Sequence, residues 1–135
     1  IIDSPPALGP ITINTLSAST SVLIPIQCEF FALEGLAQLL NTIKLVKQTI
    51  NQGLQIRGFL PTMYSSQNNL SKQVFADLAQ HFESKLFKIY DDSYVVIPRN
   101  VKLAESPSFG KPIMLYDTNS SGTKAYTNLA RAIAG

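Results

Sequence analysis

The sequence is poor in residues that make covalent or metallic cross-links, with one cysteine, Cys28, one histidine, His81, and no tryptophan in 135 residues. A lone thiol excludes an internal disulfide, and one thiol with one imidazole leaves too few soft ligands for a structural zinc site. A reducing, cytoplasmic setting is therefore the expectation. Long hydrophobic runs are missing too: no stretch of about eighteen apolar residues occurs, and the longest apolar segments are broken by Gln27, Glu29, Glu34 and Gln38. No membrane-spanning helix is expected. The opening Ile1-Ile2-Asp3-Ser4-Pro5-Pro6 has no basic stretch ahead of an apolar one and does not read as a signal peptide. Charge is sparse, at 15 % of residues and a net +2, too little to name a partner. From Arg99 onward, however, Arg99, Lys102, Lys111, Lys124 and Arg131 face only Glu105 and Asp117. That local excess fits either a solvated face or a polyanion contact.

What the chain does have is 45 % hydrophobic residues, enough to bury one core in a domain of this length. Ile1-Ile2 reads as the tail of a buried strand, which suggests a fragment whose earlier residues are missing. Val22 to Ile26 is short, β-branched and apolar on both faces, as in a parallel strand covered on two sides, although Pro25 removes a ladder donor. From Phe31 to Ile50, Leu33, Leu36, Leu40, Ile43, Val46 and Ile50 form a helical stripe that leaves Lys44 and Lys47 toward solvent, with Gly53 closing the helix. Leu54 to Leu60 predicts a strand stopping at Pro61. A helix from about Ser71 to Phe82, capped by Asn69 or Ser71, follows a polar loop. Lys85 to Tyr90 and Tyr94 to Ile97 are short strand candidates around an Asp91-Asp92-Ser93 turn. One helical turn is expected between Val101 and Glu105, and a last helix from about Gly122 to Ala134 with Tyr126, Leu129, Ala130 and Ile133 at helical spacing. This alternation predicts an α/β fold, an open and mostly parallel sheet with helices on both faces.

Ligands of such sheets bind beyond the carboxyl ends of the strands, which directs attention to Asp3 to Pro6, Gln27 to Glu29, Pro61 to Met63 and Pro98-Arg99. Asp3, after two β-branched residues and before two prolines, suits either a carboxylate presented to hydrated magnesium or an ordinary turn opener. Cys28, alone after a buried strand, reads as structural rather than redox-active. His81 has no Ser, Asp or Cys constellation and reads as a surface or helix-end residue. Glu29 and Glu34 are not paired as acid and base; a switch or dimer contact and a solvated helix start both suit them.

Several ordered motifs resemble the ParA/Soj chromosome- and plasmid-partitioning ATPases along essentially the whole chain. Ile1-Ile2-Asp3-Ser4-Pro5-Pro6-Ala7-Leu8-Gly9 is similar to the Walker B and switch II segment, usually I-I-D-x-P-P-x-L-G. The stretches Ile24 to Gly35, Leu60-Pro61-Thr62-Met63-Tyr64 and Ile97 to Pro112 match in order. The resemblance implies a P-loop NTPase-like fold with its amino-terminal half missing, residues 1–135 being the carboxyl-terminal portion of a single ATPase domain that starts at the Walker B strand. It implies ATP and magnesium as cofactors, Asp3 holding Mg²⁺ through water, and Asp3, Ser4, Pro5 and Pro6 as switch II. Thr62, Met63 and Pro98 would lie against the adenine. It further implies an ATP-dependent homodimer, a ParB-like partner that stimulates hydrolysis, and non-specific DNA binding through Arg99, Lys102, Lys111 and Lys124. The protein would be cytoplasmic and nucleoid-associated, with no membrane attachment.

The glycine-rich phosphate loop of such enzymes has no counterpart here, because the only Gly-Lys pair, Gly110-Lys111, runs into Pro112. The catalytic set is therefore incomplete and this chain alone is expected to be inactive. Where many relatives carry Arg, this sequence has Gln67 and Thr118-Asn119-Ser120-Ser121, which displaces the basic surface toward Lys124 and Arg131. Two alternatives have their own sequence tests. A MinD-like division-site ATPase would need a basic amphipathic terminal helix, whereas Lys124 to Ala134 is short, Ala-rich and poorly basic. A non-catalytic DNA- or partner-binding fragment would bind through its basic face without nucleotide.

Overall fold

Two strands organise the chain. β1 (Ser21–Gln27) and β2 (Gln55–Thr62) run parallel, paired from Ser21 opposite Gln55 to Gln27 opposite Thr62, with one irregularity between Val22 and Leu23. A parallel pair needs a crossover, and α2 (Ala32–Thr49) supplies it. The computed structural model describes residues 1–5, 7–90 and 92–135. Around the strands lie α1 (Pro10–Ala18), α3 (Asn69–Phe82), the short α4 (Val101–Glu105) and α5 (Ile113–Tyr116), and the terminal α6 (Ser121–Ala134). The α/β class with a parallel sheet is as the sequence predicts.

Side chains alternate across the pleat and divide the core between two faces. Ile24 and Phe59, opposite each other in the ladder, join Leu16, Leu36, Ile43, Val46, Val74 and Leu78 from α1, α2 and α3. Leu60 turns to the other face with Leu23 and meets Phe87, Val95, Ile97 and, from α6, Ala125 and Leu129. Phe59 is 2 % exposed and packs its ring against Phe82 at 4.8 Å between centroids. Burying such a ring stabilises by about 1.5–3 kcal/mol.

Several boundaries differ from the sequence expectation. Ile1 and Ile2 are exposed and belong to no strand, because no neighbouring strand pairs with them. β2 runs through Pro61 to Thr62; the proline lacks an N–H, but its carbonyl still accepts from Ile97 N at 2.8 Å. The segments at 85–90 and 94–97 form single bridges, Phe59 with Leu86 and Lys88 with Tyr94, rather than strands. Asp91, in the turn expected between them, lies outside the described residues. Ile50 falls beyond the end of α2 and is exposed. Gly53 is not a left-handed terminator; the chain leaves α2 through Ile50 and Asn51, whose backbone N–H groups both donate to Val46 O. In α6 the buried stripe is Gly122, Ala125 and Leu129, while Tyr126, Ala130 and Ile133 face outward.

Helix α1 was not expected, since Ile-Thr-Ile-Asn-Thr has poor helix propensity. Pro10 starts it, and Thr15, Ser17 and Ser19 donate their hydroxyls back to carbonyls four residues earlier. Its carboxyl end is tied by Asn51 Nδ2, which lies 3.0, 3.2 and 2.8 Å from the carbonyls of Leu16, Ser17 and Ser19. Asn68, rather than Asn69 or Ser71, caps α3, its Oδ1 accepting from Leu70 N and Ser71 N. Ser71 is buried, and its hydroxyl donates to Cys28 O at 3.3 Å, fixing α3 to the end of β1. Cys28 itself is 3 % exposed, and burial pushes its thiol up to about 11.

Two predictions follow from this packing. A Cβ at Gly58 would lie 2.7 Å from Lys85 O and from the Phe87 ring, whereas one at Gly35 meets nothing within 4 Å. Gly58→Ala should lose about 1–3 kcal/mol by overpacking, and Gly35→Ala, inside α2, should gain about 0.5–1 kcal/mol; thermal denaturation of both variants checks the contrast. Cys28 should resist iodoacetamide at pH 8 and react promptly in urea. Because its folded pKa exceeds its unfolded value, the unfolded state loses its proton first, so stability should fall as pH rises from about 9 to 11. A Cys28→Ser variant lacking that slope would confirm the assignment, and one retaining it would refute it.

Candidate functional site

The carboxyl ends of the strands are joined by a short relay of backbone hydrogen bonds. Cys28 N donates to Thr62 O at 2.9 Å, Ile97 N to Pro61 O at 2.8 Å, Tyr64 N to Ile97 O at 3.1 Å and Arg99 N to Tyr64 O at 2.9 Å. The last two form a parallel bridge between Tyr64 and Pro98. Met63 is thus held between two fixed neighbours, and it takes a left-handed φ of 53°, a region costly for a side-chain-bearing residue. Its side chain is 37 % exposed, with Thr62 and Pro98 half-buried beside it in the ladder. Pro98, far away in sequence, is therefore a neighbour of Thr62 and Met63 at one rim. Just past β1, Phe30 and Phe31 are exposed and meet edge to face, 5.0 Å between ring centroids.

Asp3 and Ser4 are exposed and precede α1 without regular structure. The chain behind them is pinned by Thr12, whose buried hydroxyl donates to Ala7 O at 2.6 Å and lies 3.5 Å from Pro5 O. Pro6 lies outside the described residues. Among the described residues no hydrogen bond or ion pair joins Asp3 to Thr62, Met63 or Pro98.

The cations singled out in the sequence differ in their surroundings. Arg99 Nη2 pairs with Glu29 Oε1 at 3.1 Å across the rim. Glu29 is the partner that sequence reasoning missed; nothing local signals a contact between residues so far apart. Lys102, in α4, pairs with Glu105 Oε2 at 3.3 Å and lies 5.8 Å from the centre of the Tyr116 ring. The Tyr116 hydroxyl donates to the same carboxylate oxygen at 2.9 Å. That hydrogen bond, with help from Lys102, holds the Glu105 carboxyl below its usual range, and the bond to Glu105 raises Lys102. Lys111 and Lys124 are exposed and make no ion pair among the described residues. Lys111 follows Gly110, which ends a 3₁₀ turn (Ser106–Phe109) at φ 62°. The Gly-Lys pair is thus a turn rather than a phosphate cradle. Asn100 caps α4 by accepting from Lys102 N at 2.7 Å, and its amide donates to Ser121 Oγ at the start of α6.

Comparison with known proteins gives this geometry a context. A family model described as an AAA domain matches residues 1–56. The chain is 52 % identical over 134 residues to the sporulation initiation inhibitor protein Soj of Bacillus subtilis (strain 168), covering 99 % of this chain and 51 % of that protein. It is 49 % identical over 133 residues to the chromosome partitioning protein ParA of Caulobacter vibrioides (strain NA1000 / CB15N), covering 98 % and 48 %. Among solved structures, cobyrinic acid a,c-diamide synthase from Mycobacterium smegmatis with bound ADP and magnesium superposes with a TM-score of 0.71 at 33 % identity, over 98 % of this chain and 44 % of that one. The Pyrococcus furiosus cell division ATPase MinD superposes at 0.67 with 21 % identity, over 98 % and 49 %, a likeness of fold alone. The chain spans about half the length of the curated relatives it matches. Identity near one residue in two, sustained along almost every residue present, makes this chain similar to the Soj and ParA chromosome-partitioning proteins over the half of their length that it spans.

Proposed function

We propose that the full-length protein is a DNA-segregation ATPase that dimerises on binding ATP, coats DNA without sequence preference and is driven to hydrolysis by a ParB-like partner. The observation that supports this most is the meeting of Thr62, Met63 and Pro98 at the carboxyl ends of parallel strands, in a chain about half identical to Soj and ParA. Such a rim suits a purine: Met63 and Pro98 offer apolar faces, and the Thr62 hydroxyl offers a polar contact. A nucleotide is also in keeping with the similar cobyrinic acid a,c-diamide synthase structure, which holds ADP and magnesium.

Asp3 is an exposed carboxylate with no ion pair among the described residues, as a water-mediated magnesium ligand requires. When bound, magnesium neutralises charge on the terminal phosphates. Asp3, Ser4, Pro5 and Pro6 would form the switch II segment, with Thr12 anchoring its far side. The phosphate-binding lysines would come from the part of the relatives' length that this chain does not span, so residues 1–135 alone would not turn over ATP. In this reading Arg99, Lys102, Lys111 and Lys124 contact DNA phosphates, Arg99 and Lys102 by exchanging their present carboxylate partners. Pairs this exposed are worth about 0–1 kcal/mol, so exchange costs little.

Two variants of the full-length protein test the nucleotide site. Met63→Gly removes both the left-handed strain and the apolar contact, so the melting midpoint should hold or rise while ATP affinity weakens roughly 5–10-fold, the loss of about 1 kcal/mol of apolar contact. Unchanged ATP affinity would remove Met63 from the site. Asp3→Asn should leave ATP binding in EDTA untouched and cut magnesium-dependent turnover by at least about tenfold; full turnover in that variant would overturn the magnesium assignment.

A further inference from the structure

The loop that carries Met63 is held from outside the sheet by one buried hydroxyl. Ser71 lies in the first turn of α3 and is 3 % exposed. Its Oγ donates to Cys28 O at 3.3 Å and accepts from Ser65 N at 3.3 Å. Cys28 N, in turn, donates to Thr62 O at 2.9 Å. These residues close a ring that runs from Thr62 across the end of β1 to Ser71, on to Ser65, and back through Tyr64 and Met63.

A hydroxyl suits this place because it gives one hydrogen and accepts at its lone pairs, and so satisfies a carbonyl from one strand end and an N–H from the other at once. The position of Ser71 is itself fixed by α3, whose Val74 and Leu78 are buried in the core and whose first turn is capped by Asn68. Phe75, one turn further along the same helix, adds a ring contact to Tyr64 at 5.8 Å between centroids. Met63 sits inside the ring at a left-handed φ of 53°. Such a conformation persists where the surroundings over-determine it, and the ring fixes the chain one residue before Met63 and two residues after it.

We propose that Ser71 is a positioning residue for the nucleotide rim, its hydroxyl keeping Met63 in the conformation that sets it beside Thr62 and Pro98. The inference rests on the nucleotide-binding part of the proposed function and adds to it a residue that touches no nucleotide itself. Without the hydroxyl, Met63 relaxes out of the left-handed region in part of the population. Apparent affinity for a base then falls by the fraction of molecules that keep the competent rim. Phosphate groups, which the rim does not contact, are bound as before.

The test is calorimetric binding to the full-length protein of two probes with magnesium, ATP and inorganic tripolyphosphate. Ser71→Ala should weaken ATP roughly 3–10-fold, the worth of about one hydrogen bond, and leave tripolyphosphate unchanged, because only ATP has a base to meet the rim. Ser71→Cys, close in size and at ease when buried but a weak hydrogen bonder, should show the same selective loss and decides the matter if the alanine variant does not fold. Equal weakening of both probes would overturn the inference, since general support of the fold does not distinguish a base from a phosphate chain. Unchanged ATP affinity in the Ser71 variants, with Met63→Gly weakened, would overturn it and spare the proposed nucleotide rim. If Met63→Gly also binds ATP as the wild type does, the rim is not the base site and both readings fall.

Discussion

The hydrogen bond from Ile97 N to Pro61 O is the constraint on which the site depends. Proline contributes no donor, so β2 can hold the following segment at this point only through a carbonyl. Ile97 and Leu60 bury their side chains on one face of the sheet while Phe59 turns to the other, and a slip of one residue would expose an apolar side chain on each side. Register is therefore set by burial, and the single backbone bond passes that register on to Tyr64 and Pro98. Met63 has no freedom to choose its conformation between such fixed ends. Its left-handed φ is the local cost of a rim whose two halves are specified elsewhere.

How much of this could be read from the sequence depended on whether the signal was local. Helices α2 and α3 were legible because Leu36, Ile43 and Val46, or Val74 and Leu78, repeat at helical spacing and are buried on one side. α1 was not, because its Thr and Ser residues favour other conformations until their hydroxyls bond back to the helix and Asn51 closes its end, and neither event shows in periodicity. The segments around Leu86 and Val95 have strand composition, yet they pair only through isolated bridges, since whether a strand extends depends on the neighbour beside it. In α6 the spacing was right and the phase was not: Tyr126 looked like core, but close approach to Leu103 occurs at Gly122, where an added Cβ would lie 2.6 Å away. A glycine carries no hydrophobic signal, so a face built around one is easily misread.

The candidate site was legible as residues and not as surroundings. Thr62, Met63 and Pro98 were found from strand ends and resemblance, and the ladder does bring them together. What no local pattern could supply was Glu29 opposite Arg99, or Tyr116 closing on Glu105, because both contacts join elements separated by the fold. Glu83 repeats the second arrangement, accepting from the Tyr94 hydroxyl at 3.0 Å and from Lys88 at 3.3 Å, with Lys88 also over the Tyr94 ring. The tyrosine bond chiefly, and Lys88 next, hold that carboxyl below its usual range. In both clusters a carboxylate is satisfied by a phenol and an ammonium that also touch each other, so the cation is directed inward.

Counting charges along the chain puts the basic excess in its last quarter, where Lys111 and Lys124 make no ion pair among the described residues; counting them in space finds unmatched cations elsewhere too. Arg99 and Lys102 lie in that quarter and are matched, whereas Lys44, Lys47, Arg57 and Lys85 come from the middle of the chain and are not. Parallel strands explain the separation. Every crossover returns the chain to the same end of the sheet, so residues before each strand collect at one end and residues after it at the other. Lys47, Arg57 and Lys85 sit near the amino-terminal ends of β2 and its neighbouring segment, while Glu29, Met63 and Arg99 sit past the carboxyl ends. Strand polarity thus sorts the Glu29–Arg99 pair and the strained Met63 to one end of the sheet and Lys47, Arg57 and Lys85 to the other.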